Sequence, residues 1–331
     1  MLDRVITGGS IVDGTGSPRR LGDVSIRDGK IVAVGEPGTA EPARETIDAT
    51  GLIVAPGFVD PHTHYDAQLL WDPTASPSAA HGVTSVIGGN CGFTLAPLRP
   101  NDADYTRRMM ARVEGMPLAA LEAGSSWQWE SFGEYLDGLE GRIGVNAGFL
   151  VGHCALRRYV MGDDAVQREA TDDEISKMAA LLRDSLAAGG LGLSTSRSSS
   201  HSDGDGNPVA SRLASVDEVL ALCRVVGEFE GTTLEAITEG CTRRFQPDEI
   251  ELLATMSATA DRPLNWNVLI VSAHDEALAF HQLSPSQRAR EVGGRVMALT
   301  MPVHAQMNMS FETFCALWLI PGWEPIMRLP A

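Results

Sequence analysis

From residue 53 onward the chain repeats one pattern: a short apolar run rich in β-branched residues, a loop of glycine and polar residues, then a stretch of helical periodicity. The apolar runs are 53–60, 83–88, 145–151, 190–196, 231–237, 264–271 and 295–301. Consecutive parallel strands need a crossover, and a helix supplies it, so this alternation predicts a parallel βα architecture. Several helices announce their starts. Thr171-Asp172-Asp173-Glu174 and Ser215-Val216-Asp217-Glu218 read as capping boxes, and Pro247-Asp248-Glu249 opens another helix. Gly189-Gly190 ends the first of them. The segment 102–140, with Trp127, Trp129, Phe132 and Tyr135, reads as helices inserted between the second and third strands, its aromatics belonging to the core.

Residues 1–52 follow a different pattern. Short strands are expected at 4–6, 10–12, 23–27 and 30–34, with Asp28-Gly29 as a tight hairpin turn. The expected organisation is a β-sandwich portion, 1–52, followed by a larger α/β domain, 53–331.

The first apolar run ends in Asp60-Pro61-His62-Thr63-His64-Tyr65-Asp66. Alternate residues of a strand share a face, so His62 and His64 project together. Two imidazoles side by side at a strand end are half of a divalent metal site, which Asp60 and Asp66 can orient or supplement. An isolated pair of this kind is as readily two surface histidines in a turn. The second run, Val83–Ile87, ends in Gly88-Gly89-Asn90-Cys91-Gly92-Phe93. The glycines permit tight turns and Cys91 is placed to be a thiolate ligand. Zinc accepts mixed sulfur and nitrogen ligands. The alternative for Cys91 is a small buried hydrophobe.

These segments resemble the N-acyl-D-amino-acid deacylase (D-aminoacylase) branch of the amidohydrolase superfamily. The resemblance is carried by 55–66, by 88–93, by Val151-Gly152-His153-Cys154-Ala155-Leu156-Arg157, and by Gly190-Leu191-Gly192-Leu193-Ser194-Thr195-Ser196. The opening Val5-Ile6-Thr7-Gly8-Gly9-Ser10-Ile11-Val12-Asp13-Gly14 is similar to that superfamily's N-terminal strands. The resemblance implies a TIM-like (β/α) barrel holding one or two zinc ions. An eight-stranded barrel needs one strand more than the seven runs counted above, so an incomplete, truncated barrel is expected. In the family an aspartate at the end of strand eight binds metal and acts as general acid/base, and no residue here takes that place.

Many superfamily members bridge two metals with a carboxylated lysine. This chain has only Lys30, in the N-terminal β region, and Lys177, in a predicted helix. Cys91 is the natural substitute, as the resemblance also implies. Where most amidohydrolases carry single histidines on strands five and six, this sequence has Glu235 and Asn267. A carboxylate is a competent zinc ligand and a neutral amide a poor one, so the expected metal set is His62, His64, Cys91 and Glu235. The resemblance gives His153 an active-site lining role. Arg157 is either a bidentate receptor for a substrate carboxylate or half of a surface salt bridge. Ser194 and His201, in the polar loop after strand four, are candidate substrate contacts. Asp203-Gly204-Asp205-Gly206-Asn207 lacks the spaced glutamate and flanking helices of a calcium loop. His81, His274, His281 and His304 read as surface or helix residues.

A net charge of −17 would repel nucleic acid, and no apolar run of membrane-spanning length occurs. Five widely spaced cysteines and no visible secretory leader fit a reducing cytoplasm. The expected partner is a small N-acyl amino acid or related amide. Unpaired strand edges would also let copies of the chain associate into an oligomer. The expected activity is metal-dependent hydrolysis of an amide C–N bond. A cyclic-amide hydrolase of the hydantoinase or dihydropyrimidinase kind uses the same chemistry and is the alternative. A reading of another class is an inactive remnant that binds metal without turnover.

Overall fold

The computed structural model describes residues 1–124, 127–301 and 322–327. His304 and most of the apolar segment 311–323 lie outside the described residues. The chain separates into two compact units, Met1–Phe58 and Val59–Ala331.

The first unit is a five-stranded sheet of β1 (Leu2–Ile11), β2 (Arg20–Arg27), β3 (Lys30–Gly35), β4 (Ala43–Asp48) and β5 (Ile53–Val54). β2 runs antiparallel to β1 and to β3, while β4 and β5 run parallel to β1. Asp28 and Gly29 both have positive φ, 51° and 69°, as a two-residue hairpin between twisted strands requires. Two features differ from expectation. The strands expected at 4–6 and 10–12 are one strand with an irregularity between Ile6 and Gly9. β4, Ala-Arg-Glu-Thr-Ile-Asp, was not foreseen. It is mostly exposed, and its charges hide the apolar alternation that marks a half-buried strand.

The second unit is built of βα units. Its strands are β6 (Phe58–Asp60), β7 (Val83–Gly88), β8 (Asn146–Phe149), β9 (Val151–Gly152), β10 (Gly192–Ser196), β11 (Thr233–Ile237), β12 (Pro263–Trp266) and β13 (Arg295–Ala298). They form a sheet of order β6-β7-β8 and another of order β9-β10-β11-β12-β13. β8 and β9 are one strand interrupted at Leu150. Leu150 N–H donates to Gly88 O across one side (3.0 Å), and Leu191 N–H donates to Phe149 O across the other (2.8 Å). The strands thus follow sequence order with parallel neighbours from β7 to β13, the arrangement of a (β/α) barrel. The first apolar run, expected as one strand over 53–60, is broken into β5 and β6 by Pro56-Gly57, because proline donates no ladder hydrogen bond.

The helices packed on this sheet start where the sequence signals them. Thr171 caps Asp172–Ala187 with a full box to Glu174, and Gln246 does the same for Pro247–Ala260 through Glu249. Ser215 caps Val216–Gly227 through Glu218 N–H, but the Glu218 side chain does not return to close the box. It turns inward, toward His153 and Arg157. The segment after β7 forms the helices Ala103–Val113, Leu118–Ala123 and Phe132–Leu139. Trp127, Trp129, Phe132 and Tyr135 are buried, with ring centroids 5.5 Å apart for Trp127–Trp129 and 5.4 Å for Trp129–Tyr135. Tyr135 also reaches the loop after β6, donating its hydroxyl to Asp66 O at 3.0 Å. Among the described residues no helix is long and apolar enough to cross a membrane.

Candidate metal centre

The loops after β6 and β7 are pinned to each other. Thr63 donates both its N–H and its hydroxyl to Ile87 O, each at 2.9 Å. Asn90 Nδ2 donates to Thr63 O at 3.1 Å and to Ile87 O at 2.9 Å. Buried Asp66 accepts Gly89 N–H at 3.0 Å. Gly89 has φ 73°, and a Cβ there would stand 2.1 Å from Leu150 O, so only glycine fits this turn. Cys91 follows with φ 56°, a left-handed conformation that disfavours any side chain. A non-glycine residue held so on a fixed loop, between Asn90 and Gly92, has the kind of backbone strain that clusters at functional sites.

This scaffold brings His62, His64 and Cys91 together, one donor atom from each lying within 4.8 Å of the others. Cys91 Sγ is 3.6 Å from His62 Nε2. Asn267 Nδ2 lies 3.7 Å from the sulfur. Glu235 accepts Cys91 N–H at 2.7 Å through Oε2, and its Oε1 is 4.0 Å from Sγ. Glu235 therefore stands beside Cys91 but outside the three-atom group. Glu114, which sequence reasoning missed, brings Oε1 to 3.3 Å from His64 Nδ1. That is ion-pair distance without hydrogen-bond alignment, since His64 Nδ1 is a buried atom with no hydrogen bond, as is His62 Nδ1.

The electrostatics suit a cation. Burial holds the His62 imidazole down at about 4 and puts His64 well below its ordinary value, the neighbouring His62 and His201 adding to the shift, so both rings are neutral with a free lone pair. Burial raises Asp66 to about 7. Burial, then the charge of Asp66, raises Glu114 to about 8. Glu235 is likewise raised to about 8, by burial and then Glu114. The Cys91 thiol is pushed well up by burial, Glu235 and Glu114. A divalent ion reverses this, because its charge favours every anionic form around it. Two neutral imidazoles and a thiol that becomes a thiolate on metal binding are a donor set zinc takes. The residues present fit a metal.

The expected substrate contacts fall in different places. His201 belongs with this cluster: its Nδ1 is 2.8 Å from Ser196 Oγ and its ring packs 5.0 Å from Phe93. Its ring is held at about 4 by burial, then by the charges of Arg212 and His62. Ser194 has a positioning role instead. Its hydroxyl accepts Gly92 N–H at 2.9 Å and donates to Gly89 O, bracing the Cys91 loop from β10. Ser194 pairs in register with Glu235, so both project from the same face of the sheet.

His153 and Arg157 lie in a second buried cluster, and both are fully buried. His153 Nδ1 is 3.0 Å from Thr195 Oγ1 and Nε2 is 2.8 Å from Glu218 Oε1. Arg157 donates to the other Glu218 oxygen at 2.5 Å and to the carbonyls of Ala165 and Arg168. Arg157 is thus neither a surface salt bridge nor free to receive a carboxylate, because Glu218 and two carbonyls occupy its guanidinium. Thr195 alternates with Ser194 and Ser196, so this cluster sits on the opposite face of β10 from Cys91. Asp203 is buried and closes its own loop, accepting the N–H groups of Asp205 and Asn207. His81 and His274 are exposed, and His281 ends the helix Glu276–His281.

The chain is similar to several known proteins. The D-aminoacylase of Alcaligenes xylosoxydans xylosoxydans is 38% identical over 231 residues, 70% of this chain and 43% of that protein. The N-acyl-D-aspartate deacylase of the same organism is 40% identical over 223 residues, 67% of this chain and 40% of that protein. The chain therefore spans less than half the length of these relatives. A solved D-aminoacylase, described for the functional role of its binuclear metal centre, has a TM-score of 0.72 at 32% identity, covering 92% of this chain and 59% of that one. An N-acyl-D-glutamate deacylase from Bordetella bronchiseptica, complexed with zinc and a phosphonate mimic of the tetrahedral intermediate, scores 0.69 at 31%, covering 90% and 58%. Residues 45–325 match the Amidohydrolase family, and with the parallel βα sheet and the clustered His62, His64 and Cys91 the chain belongs to that family.

Proposed function

We propose that the protein is a metal-dependent hydrolase of an amide C–N bond, with N-acyl-D-amino acids as substrates and zinc held by His62, His64 and Cys91. The observation that carries this reading is the convergence of those three donors within 4.8 Å from the ends of two neighbouring strands. Bound zinc would lower the pKa of its water to ~7 and polarise the scissile carbonyl. The chain's own residues prepare for it. His62 and His64 are neutral and present lone pairs without first losing a proton. Glu235 Oε1, 4.0 Å from Cys91 Sγ, is positioned to hold the proton that the thiol gives up. Ser194 and Asn90 keep the Cys91 loop in its left-handed turn. His201 walls the site beside His62.

The relatives named for D-amino-acid derivatives, at 38% and 40% identity, favour the deacylase reading over cyclic amides. Glu235 and Asn267, standing where the resemblance expects histidines, favour a second reading in which the site binds metal without turnover. The test is zinc content by elemental analysis together with release of free amino acid from N-acetyl-D-amino acids. Zinc with turnover, both lost in His62→Ala and Cys91→Ala, is the expected result. Zinc without turnover supports the second reading, and well-folded protein that takes up no zinc contradicts both.

A further inference from the structure

The three-atom group leaves an inward-turned carboxylate unexplained. Glu114 follows the helix Ala103–Val113, in the segment inserted between β7 and β8, 50 positions beyond His64 in the sequence. Its side chain is only 14% exposed. An ordinary helix-ending glutamate turns outward to water. This one turns in, and among the described residues His64 is its one ion-pair partner. Asp66 and Glu235 are buried nearby and accept backbone N–H groups from Gly89 and Cys91, and among the described residues neither forms an ion pair with an arginine or lysine. Three carboxyl groups and a thiol thus stand near the two imidazoles, and among the described residues none of the carboxyl groups pairs with an arginine or lysine. Ionised carboxylates are held in a protein interior only where a cation or good hydrogen bonds offset their lost hydration.

Metal-binding histidines generally pass the N–H of the nitrogen away from the metal to a carboxylate or carbonyl, which fixes the tautomer and the ring plane. His64 Nδ1 has no such acceptor aligned on it, yet Glu114 Oε1 stands within reach at 3.3 Å. We propose that Glu114 is the positioning carboxylate of the metal centre, accepting the Nδ1 proton of His64 and committing the Nε2 lone pair to the metal. The inserted helices then do more than cover the barrel. Ala103–Val113 delivers Glu114 to His64, and Phe132–Leu139 delivers the Tyr135 hydroxyl to Asp66 O. The insertion grips the His-x-His loop at two points.

This inference rests on the metal reading above, and its test separates the two. Zinc alone is titrated against a chromophoric chelator into metal-free wild type, Glu114→Ala and Glu114→Gln, with thermal melting of each metal-free protein recorded alongside. The expected result is a ~10–100-fold loss of zinc affinity in Glu114→Ala, the size typical of removing a carboxylate behind a metal-binding histidine. Glu114→Gln should lose less, because its amide oxygen still accepts the same N–H, and melting of the metal-free proteins should not fall in step with affinity. If Glu114→Ala does not fold, the isosteric Glu114→Gln carries the test. Unchanged zinc affinity in the folded variants, beside a wild type that binds zinc, overturns the role of Glu114 alone. A wild type that binds no zinc overturns the metal reading and this inference with it.

Discussion

Two buried polar clusters lie on opposite faces of β10, and they are finished in opposite ways. Behind the sheet, His153, Glu218, Arg157 and Thr195 close on one another: the carboxylate meets a guanidinium and an imidazole, and the imidazole's other nitrogen meets a hydroxyl. On the other face, Cys91, Asp66 and Glu235 are buried and His62, His64 and Glu114 partly so, and this cluster is left open. Among the described residues the Nδ1 atoms of His62 and His64 lack hydrogen bonds, the carboxyl groups pair with no arginine or lysine, and a cysteine is held in a left-handed turn. Native interiors satisfy their polar groups, so a cluster that does not is kept for something that arrives later. Both clusters contain histidine and glutamate. What distinguishes the two clusters here is how their charges are matched, not composition: behind the sheet the carboxylate meets a guanidinium, and Arg157 Nε is the one buried nitrogen or oxygen of those four side chains without a hydrogen bond among the described residues.

The contrast can be broken most forcefully at Glu218. Glu218→Ala strands a buried arginine and should destabilise the fold by ~3–5 kcal/mol, the range for removing one partner of a buried ion pair. Urea denaturation measures it, and a loss no larger than that of a surface substitution would show that the closed cluster is not structural. Gly89→Ala comes next. Its Cβ would overlap Leu150 O, and its φ disfavours a side chain, so a loss of ~1–3 kcal/mol and a displaced Cys91 loop are expected.

The pH dependence sharpens the open side. His201 is held at about 4 in the fold, against an ordinary 6.5. Between those values the unfolded chain binds a proton that the fold does not. Stability therefore falls as pH is lowered through that window, by at most ~1.4 kcal/mol per pH unit from this residue. His201→Gln should flatten the stability profile between those two pH values, and an identical slope in the variant would contradict the assignment. The smallest effect is also the most telling. Cys91→Gly relieves a left-handed side chain and should raise the stability of the metal-free protein by ~1 kcal/mol. Function and stability then pull apart at Cys91, whereas at Glu218 no gain of stability is available.

Much of the open cluster was legible in the sequence because its parts are local. Strand alternation places His62 with His64, and the glycines around Cys91 announce a strained turn. The helix cap at Thr171 and the helix start at Pro247 were legible for the same reason. The residues that sequence reading misassigned or missed act over distance. Glu218 carries a capping-box signature, but its side chain joins Arg157, 61 positions away. Glu114 reaches His64 only through the packing of the inserted helices, and nothing in its neighbours marks it. Ser194 lies in a segment read as resembling the family, yet its hydroxyl braces the Cys91 loop across 102 positions. Local spacing reveals the candidate donors, and only the fold reveals what holds them.

The most direct test of the account is zinc content per chain, by elemental analysis after dialysis against zinc and then buffer, in wild type, Cys91→Ala and Glu218→Gln. The account predicts bound zinc in wild type, its loss in Cys91→Ala, and its retention in whatever fraction of Glu218→Gln remains folded. A well-folded wild type without zinc, or a Cys91→Ala protein that keeps it, would contradict the claim that the open cluster is a metal centre.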